Sequence, residues 1–108
     1  MEVIEIAAKA AESKKAEKIV MQDLRGQSDL CQFQMICSGM NDRHVQAIAA
    51  EVEDVLKKEQ DLAPLAVEGK RLGNWVLMDY GFLMVHIFKD DVRDYYALEQ
   101  LWPDAKKM

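Results

Sequence analysis

Between Trp75 and Phe88 the chain reads WVLMDYGFLMVHIF, two apolar runs joined by Tyr80-Gly81. Residues 75–80 and 83–88 are apolar at successive positions, so neither run leaves a clean polar face for water. Strands of this kind sit inside a sheet with cover on both sides. Tyr-Gly between them is turn chemistry, and the pattern predicts a hairpin of two buried strands. That hairpin needs partner strands and helices to cover it, and the rest of the chain is read for what supplies them.

Upstream, Val3, Ile4, Ala7, Ala8 and Ala11 share one face of a helix spanning residues 2–13, which ends at Ser13-Lys14-Lys15. Residues 19–24 predict a strand and residues 25–29 a turn. The next run alternates: Cys31, Phe33, Met35 and Cys37 point one way and Gln32, Gln34 and Ser38 the other. Ile36 interrupts the polar side, so one end of this strand is expected to be covered on both faces. Asn41 or Asp42 caps a helix whose apolar stripe is Val45, Ile48, Ala49, Val52, Val55 and Leu56. A short strand at 65–68 and a basic-tipped turn, Gly69-Lys-Arg-Leu-Gly73, lead into the hairpin. After it, Asp90 or Asp91 starts a final helix to Trp102, closed by Pro103, with 103–108 expected to fray. The order α-β-β-α-β-β-β-α predicts a single α/β (α+β) domain: about five strands in one mixed sheet, with helices packed on it.

Charge narrows the partner. The 108 residues carry 19 acids against 14 bases, a formal net charge of -5. Broad binding of a phosphate backbone needs clustered Lys and Arg, so little direct RNA contact is expected, and a basic partner is favoured. Cys31 and Cys37, six residues apart on one strand, are too far separated for a disulfide and read as small buried hydrophobes. The start of the chain lacks a signal-peptide pattern and no run is long enough to span a bilayer, so a cytoplasmic protein is expected.

Catalytic chemistry finds little support. No metal-ligand spacing links His44 or His86 to the cysteines or acids. His86, between Val85 and Ile87, reads as a hydrogen-bonded sheet histidine, and His44, in a first helical turn, as a solvated one. Ser38-Gly39 before a helix suits an anion, which supports a rival reading as a nucleotide-binding or nucleotidyltransferase-like enzyme. That reading needs gathered carboxylates for Mg²⁺, and Asp23 and Asp29 are the candidates it would draw on. Asp79 shares a strand face with Trp75 and Leu77. It either pairs within the fold, with Arg93 as candidate, or lies at an exposed edge facing a cationic partner. The final helix carries Val92, Tyr95, Tyr96, Leu98, Leu101 and Trp102 around more than half its circumference, beside several acids. Aromatics with acids at a rim suit protein recognition, including closure of a homodimer in the free protein.

Four strings within this framework, Glu68-Gly69, Trp75-Val-Leu-Met-Asp79-Tyr80-Gly81, Val85-His86-Ile-Phe88 and Arg93-Asp-Tyr-Tyr96-Ala-Leu98-Glu99-Gln-Leu101-Trp102, resemble the ribosomal silencing factor family, also called Iojap-like proteins. Lys15-Ala-Glu-Lys-Ile19, Ile36-Cys-Ser38-Gly39 and Asp42-Arg43-His-Val45-Gln-Ala-Ile48-Ala49 agree with it, so the likeness covers nearly the whole chain. The resemblance implies a fold related to nucleotidyltransferases, without catalysis and without a cofactor. It also implies binding to the large ribosomal subunit at its basic protein number fourteen on the intersubunit face. A factor there blocks joining of the small subunit when nutrients are short, as in stationary phase. On this basis Trp75, Asp79, Tyr80, His86, Arg93, Tyr96, Glu99 and Trp102 are the expected partner-binding residues with their supporting shell. Two departures, Phe82 after Gly81 and Gln32 before Phe33, replace acids common in the family.

Overall fold

The two apolar runs do form adjacent antiparallel strands, and the sheet grows outward from them. In the computed structural model, which describes residues 2–26, 31–92 and 106–107, the elements are α1 (Val3–Ser13), β1 (Glu17–Asp23), β2 (Phe33–Gly39), α2 (Asp42–Gln60), β3 (Ala66–Glu68), β4 (Trp75–Asp79), β5 (Leu83–Lys89) and β6 (Lys106–Lys107). Residues 90–92 are helical; the rest of the expected final helix lies outside the described residues. The sheet order is β3-β4-β5-β2-β1-β6. Only β2 and β5 run parallel; the other neighbours are antiparallel, which makes the sheet mixed. The five expected strands are joined by a two-residue sixth. Lys106 and Lys107, within a tail expected to fray, pair with Asp23 and Gln22 of β1.

Both helices supply the cover that the hairpin demands. Met35 and Cys37 of β2, Val76 and Met78 of β4, and Leu83, Val85 and Ile87 of β5 form one face of the sheet. They pack in a single core with Ile4, Ala7 and Ala11 of α1 and Val45, Ile48, Val52 and Leu56 of α2. The α1 face is rich in alanine, which lets the two helices approach closely. The helix stripe predicted for α2 is the buried one, except that Val55 is only half buried. Truncating Ile48 or Leu56 to alanine in such a core costs about 2–5 kcal/mol.

The start of α2 is fixed by short-range contacts. Asn41, rather than Asp42, is its cap: Oδ1 accepts the His44 N–H at 2.9 Å. Gly39 is needed just before it, because a Cβ there would lie 2.8 Å from Val45 Cγ2 and 2.9 Å from Val45 N.

The opposite sheet face differs from expectation at β2. Gln34 and Ser38 do not face water; they are 3% and 0% exposed. Gln34 Nε2 donates to Gln22 Oε1 of β1 at 2.9 Å, directly across the ladder. A buried amide can be hydrogen-bonded within the fold, so a polar residue on a strand is not evidence of a solvated face.

Candidate functional site

Alternation along β4 sends Val76 and Met78 into the core, and Trp75, Leu77 and Asp79 onto the opposite, outer face. Register then fixes their neighbours: Trp75 lies across from Phe88, Leu77 from His86 and Asp79 from Met84. On the other flank Glu68 of β3 lies across from Leu77, and Ala66 from Asp79. The outer face is closed at β2 and the later part of β5, where Ile36, Ser38, His86 and Phe88 are buried, while Met84 at the start of β5 is half exposed. It opens toward β4 and β3, where Trp75, Leu77 and Asp79 are half exposed and Ala66 and Glu68 exposed. The transition falls within one strand spacing, and the open part combines apolar and acidic side chains.

Trp75 spans that boundary. Its ring stacks on Phe88 with centroids 5.0 Å apart, and its Nε1–H donates to His86 Nδ1 at 3.1 Å. Burial pushes the His86 imidazole down from 6.5 to about 4, so it stays neutral and keeps Nδ1 as an acceptor. The sheet-histidine reading of His86 therefore describes it, and its place is beneath the open face rather than on it. Gly69 adopts φ +82, and a Cβ there would overlap the Trp75 carbonyl oxygen, so only glycine lets the 69–73 turn close against β4. Between Glu68, Gly69, Trp75 and Leu77 this leaves a hollow of about 240 Å³.

Asp79 turns the chain as well as carrying charge. Its Oδ1 accepts the Gly81 N–H at 2.8 Å, an Asx-type contact that shapes the hairpin turn. Its candidate partner Arg93 lies outside the described residues, as do Tyr96, Glu99 and Trp102. Tyr80 is 6% exposed and belongs to the core cluster, so within the expected set it stands with the supporting shell. Its hydroxyl is buried with no hydrogen-bond partner among the described residues. Alternation explains this, because a residue one position from Asp79 must point to the opposite face. As placed, Tyr80 supports the hairpin from within. Leu77 and Glu68 were not among the expected site residues, although both line the hollow. The signal for Leu77 was its i+2 spacing from Trp75.

The rival turn is built for packing. Ser38 is fully buried and Gly39 lies against Val45, so neither side of the turn opens to a ligand. Asp23 is held by Arg25, with Nη2 donating to Oδ2 at 2.7 Å; Asp29 lies outside the described residues. His44, expected to be solvated, is a clamp. Its Nδ1 accepts the Met40 N–H at 2.8 Å and its Nε2 sits 2.7 Å from the Lys14 carbonyl oxygen. The first contact leaves Nε2 as the protonated nitrogen, which donates to Lys14. Among the described residues no three His, Cys, Asp or Glu side chains gather as a metal site would need. Both cysteines are buried, and burial pushes the Cys31 thiol up. No helix among the described residues is long and apolar enough to cross a membrane.

Residues 1–108 match the protein family described as "Ribosomal silencing factor during starvation". This chain belongs to the ribosomal silencing factor family. The ribosomal silencing factor RsfS of Halalkalibacterium halodurans is 41% identical over 104 residues, covering 96% of this chain and 88% of that protein. A crystal structure of a Chromobacterium violaceum protein superposes with a TM-score of 0.90 at 35% identity, covering 98% of this chain and 90% of that one. A more distant relative, "Mitochondrial assembly of ribosomal large subunit protein 1" of Mus musculus, is 30% identical over 70 residues, covering 63% of this chain and 31% of that protein. The α/β fold and the ribosomal silencing role expected of an Iojap-like chain are thus those of its family, and the role its relatives are named for is regulatory. Among the described residues of the family string, Trp75, Leu77 and Asp79 are half exposed, and Glu68 and Gly69 beside them are exposed.

Proposed function

We propose that this silencing factor binds the large ribosomal subunit and prevents its association with the small subunit. The contact we assign is the open outer face of β3 and β4, and the recipient the basic protein number fourteen of the intersubunit surface. The observation that carries this reading is the row Trp75, Leu77 and Asp79 beside Glu68, apolar and acidic groups half or fully exposed on a rigid sheet. A rigid apolar centre supplies contact area at low entropic cost, and surrounding carboxylates select and steer a basic partner. The overall charge of -5 acts in the same direction. Blocking is steric and requires no turnover; the protein works where ribosomes are, in the cytoplasm.

Co-sedimentation with purified large subunits tests it. Wild type is expected to pellet with large subunits and to lower light scattering when small subunits are added. Leu77→Arg places a cation on the contact face without touching the core, and is expected to abolish both effects. Failure of the wild type to bind at low salt would overturn the proposal.

A further inference from the structure

The net charge conceals a segregation. Around the first turn of α2 three segments meet, and they carry Lys14, Lys15, Lys18, Arg43, Lys70 and Arg71 against Glu17 and Asp42, with Asp90 and Glu53 brought in by ion pairs to Lys18 and Lys70. Two uncharged side chains of α2 bring them together. His44 grips the Lys14 carbonyl at 2.7 Å, and Gln46 Nε2 donates to the carbonyls of Lys70 and Arg71 at 2.9 and 3.0 Å. Successive helical residues are rotated by roughly 100°. His44 and Gln46 therefore point to two flanks of the helix, with Val45 between them on the buried side. Arg43 falls on the solvent side, between the two basic segments. Lys14, Lys15, Arg43 and Arg71 are all exposed and have no carboxylate partner among the described residues; Lys18 and Lys70 pair with Asp90 and Glu53.

We infer that this end of the molecule is a contact site for the phosphate backbone of structured RNA. The inference rests on the ribosomal reading above for where such RNA is met. Exposed Lys and Arg spread over adjoining segments are the arrangement that neutralises phosphates irrespective of sequence. An acidic peptide fits less well, because peptide recognition uses a groove, a sheet edge or a charged pocket. The neighbouring hollow of about 310 Å³, between Ala50, Glu53, Asp54, Lys57 and Lys70, has two carboxylates in its wall. On an acidic chain, one basic end also sets direction. RNA attracts that end and repels the remainder, so the protein approaches in a single orientation. His44 and Gln46 act as positioning residues, holding the backbones that bear the charges.

The test uses the full chain and a quadruple variant, Lys14→Gln, Lys15→Gln, Arg43→Gln and Arg71→Gln, whose side chains make no ion pair among the described residues. An A-form RNA duplex is the direct probe, with polyglutamate as competitor; large subunits are the second ligand. The variant is expected to bind the duplex roughly 10- to 100-fold more weakly, each lost contact lowering the slope of log affinity against log salt by about 0.7–0.9. Polyglutamate competing as well as unlabelled duplex would overturn the inference in favour of an acidic protein. Equal affinity and equal salt slope for variant and wild type, on both ligands, would also overturn it. A wild type that binds duplex through these four residues but never binds large subunits would sink the silencing proposal while leaving this site standing.

Discussion

The indole N–H of Trp75 donates to His86 Nδ1 at 3.1 Å, so a half-exposed residue of β4 is anchored to a buried one of β5. The pair is diagonal in the ladder, since Leu77 and not Trp75 lies directly across from His86. Phe88, across from Trp75, completes the support by stacking under the indole. A tryptophan held by two neighbours loses little side-chain entropy when a partner covers it, which is the property wanted of an interface anchor.

Burial of the His86 imidazole makes the fold sensitive to mild acid. His86 in the folded chain titrates at about 4, against 6.5 when unfolded. Below pH 6.5 the unfolded chain takes up a proton that the folded chain refuses, so stability falls as pH drops from 6.5 to 4 and this contribution is then constant. The loss amounts to at most about 3 kcal/mol. Denaturant midpoints of wild type and His86→Gln, measured across this range, are expected to differ in slope, with the variant flatter. Parallel curves would show that His86 does not titrate as described.

Tyr80 predicts the opposite of the usual cost of removing a polar group. Its hydroxyl is buried without a partner among the described residues, so Tyr80→Phe is expected to leave stability unchanged or to raise it by up to ~1 kcal/mol. Burial, with Glu53 adding a smaller push, also lifts its ionisation from 10 to about 12. The unfolded chain therefore loses its proton first, and wild-type stability declines as pH rises through 10 to 12. Tyr80→Phe should lack that decline, which alkaline denaturation curves would detect.

Much of this was legible in the sequence, for identifiable reasons. The stripe from Val45 to Leu56 and the apolar hairpin name their own secondary structure, because burial imposes the periodicity directly. Strand order is set by pairings between residues far apart, such as Met35 with Val85 in the parallel ladder, and local pattern holds no trace of them. The polarity of Gln34 does not signal exposure, because its partner Gln22 lies twelve residues away across a turn. Leu77 was overlooked for the converse reason: an ordinary leucine becomes a surface feature only at the opening side of the sheet. Arg93, Tyr96, Glu99 and Trp102 lie outside the described residues, so their expected role rests on resemblance.

Gly69 should tolerate no side chain. A Cβ would overlap the Trp75 carbonyl, and its φ of +82 disfavours L residues. Gly69→Ala is expected to lower stability by at least 1–3 kcal/mol. Because the displaced group is the backbone of Trp75, large-subunit binding should fall more than the stability loss explains. Thermal melts and co-sedimentation of the same preparation would reveal that excess, and a folded variant with full binding would contradict it.

Asp79 offers the cleanest separation of fold from contact, since one carboxylate serves both. Its Oδ1 holds the Gly81 N–H at 2.8 Å, a task that an amide oxygen performs equally well, while attraction of a basic partner requires the charge. Asp79→Asn is expected to keep stability within about 0.5 kcal/mol, and Asp79→Ala to lose about 1 kcal/mol by freeing the turn. If the carboxylate steers a basic ribosomal protein, both variants associate more slowly with large subunits at low salt, and the difference from wild type shrinks as salt rises. Stopped-flow association at several ionic strengths measures this directly. An Asp79→Asn protein with wild-type association rates at every salt concentration would assign Asp79 to the turn alone.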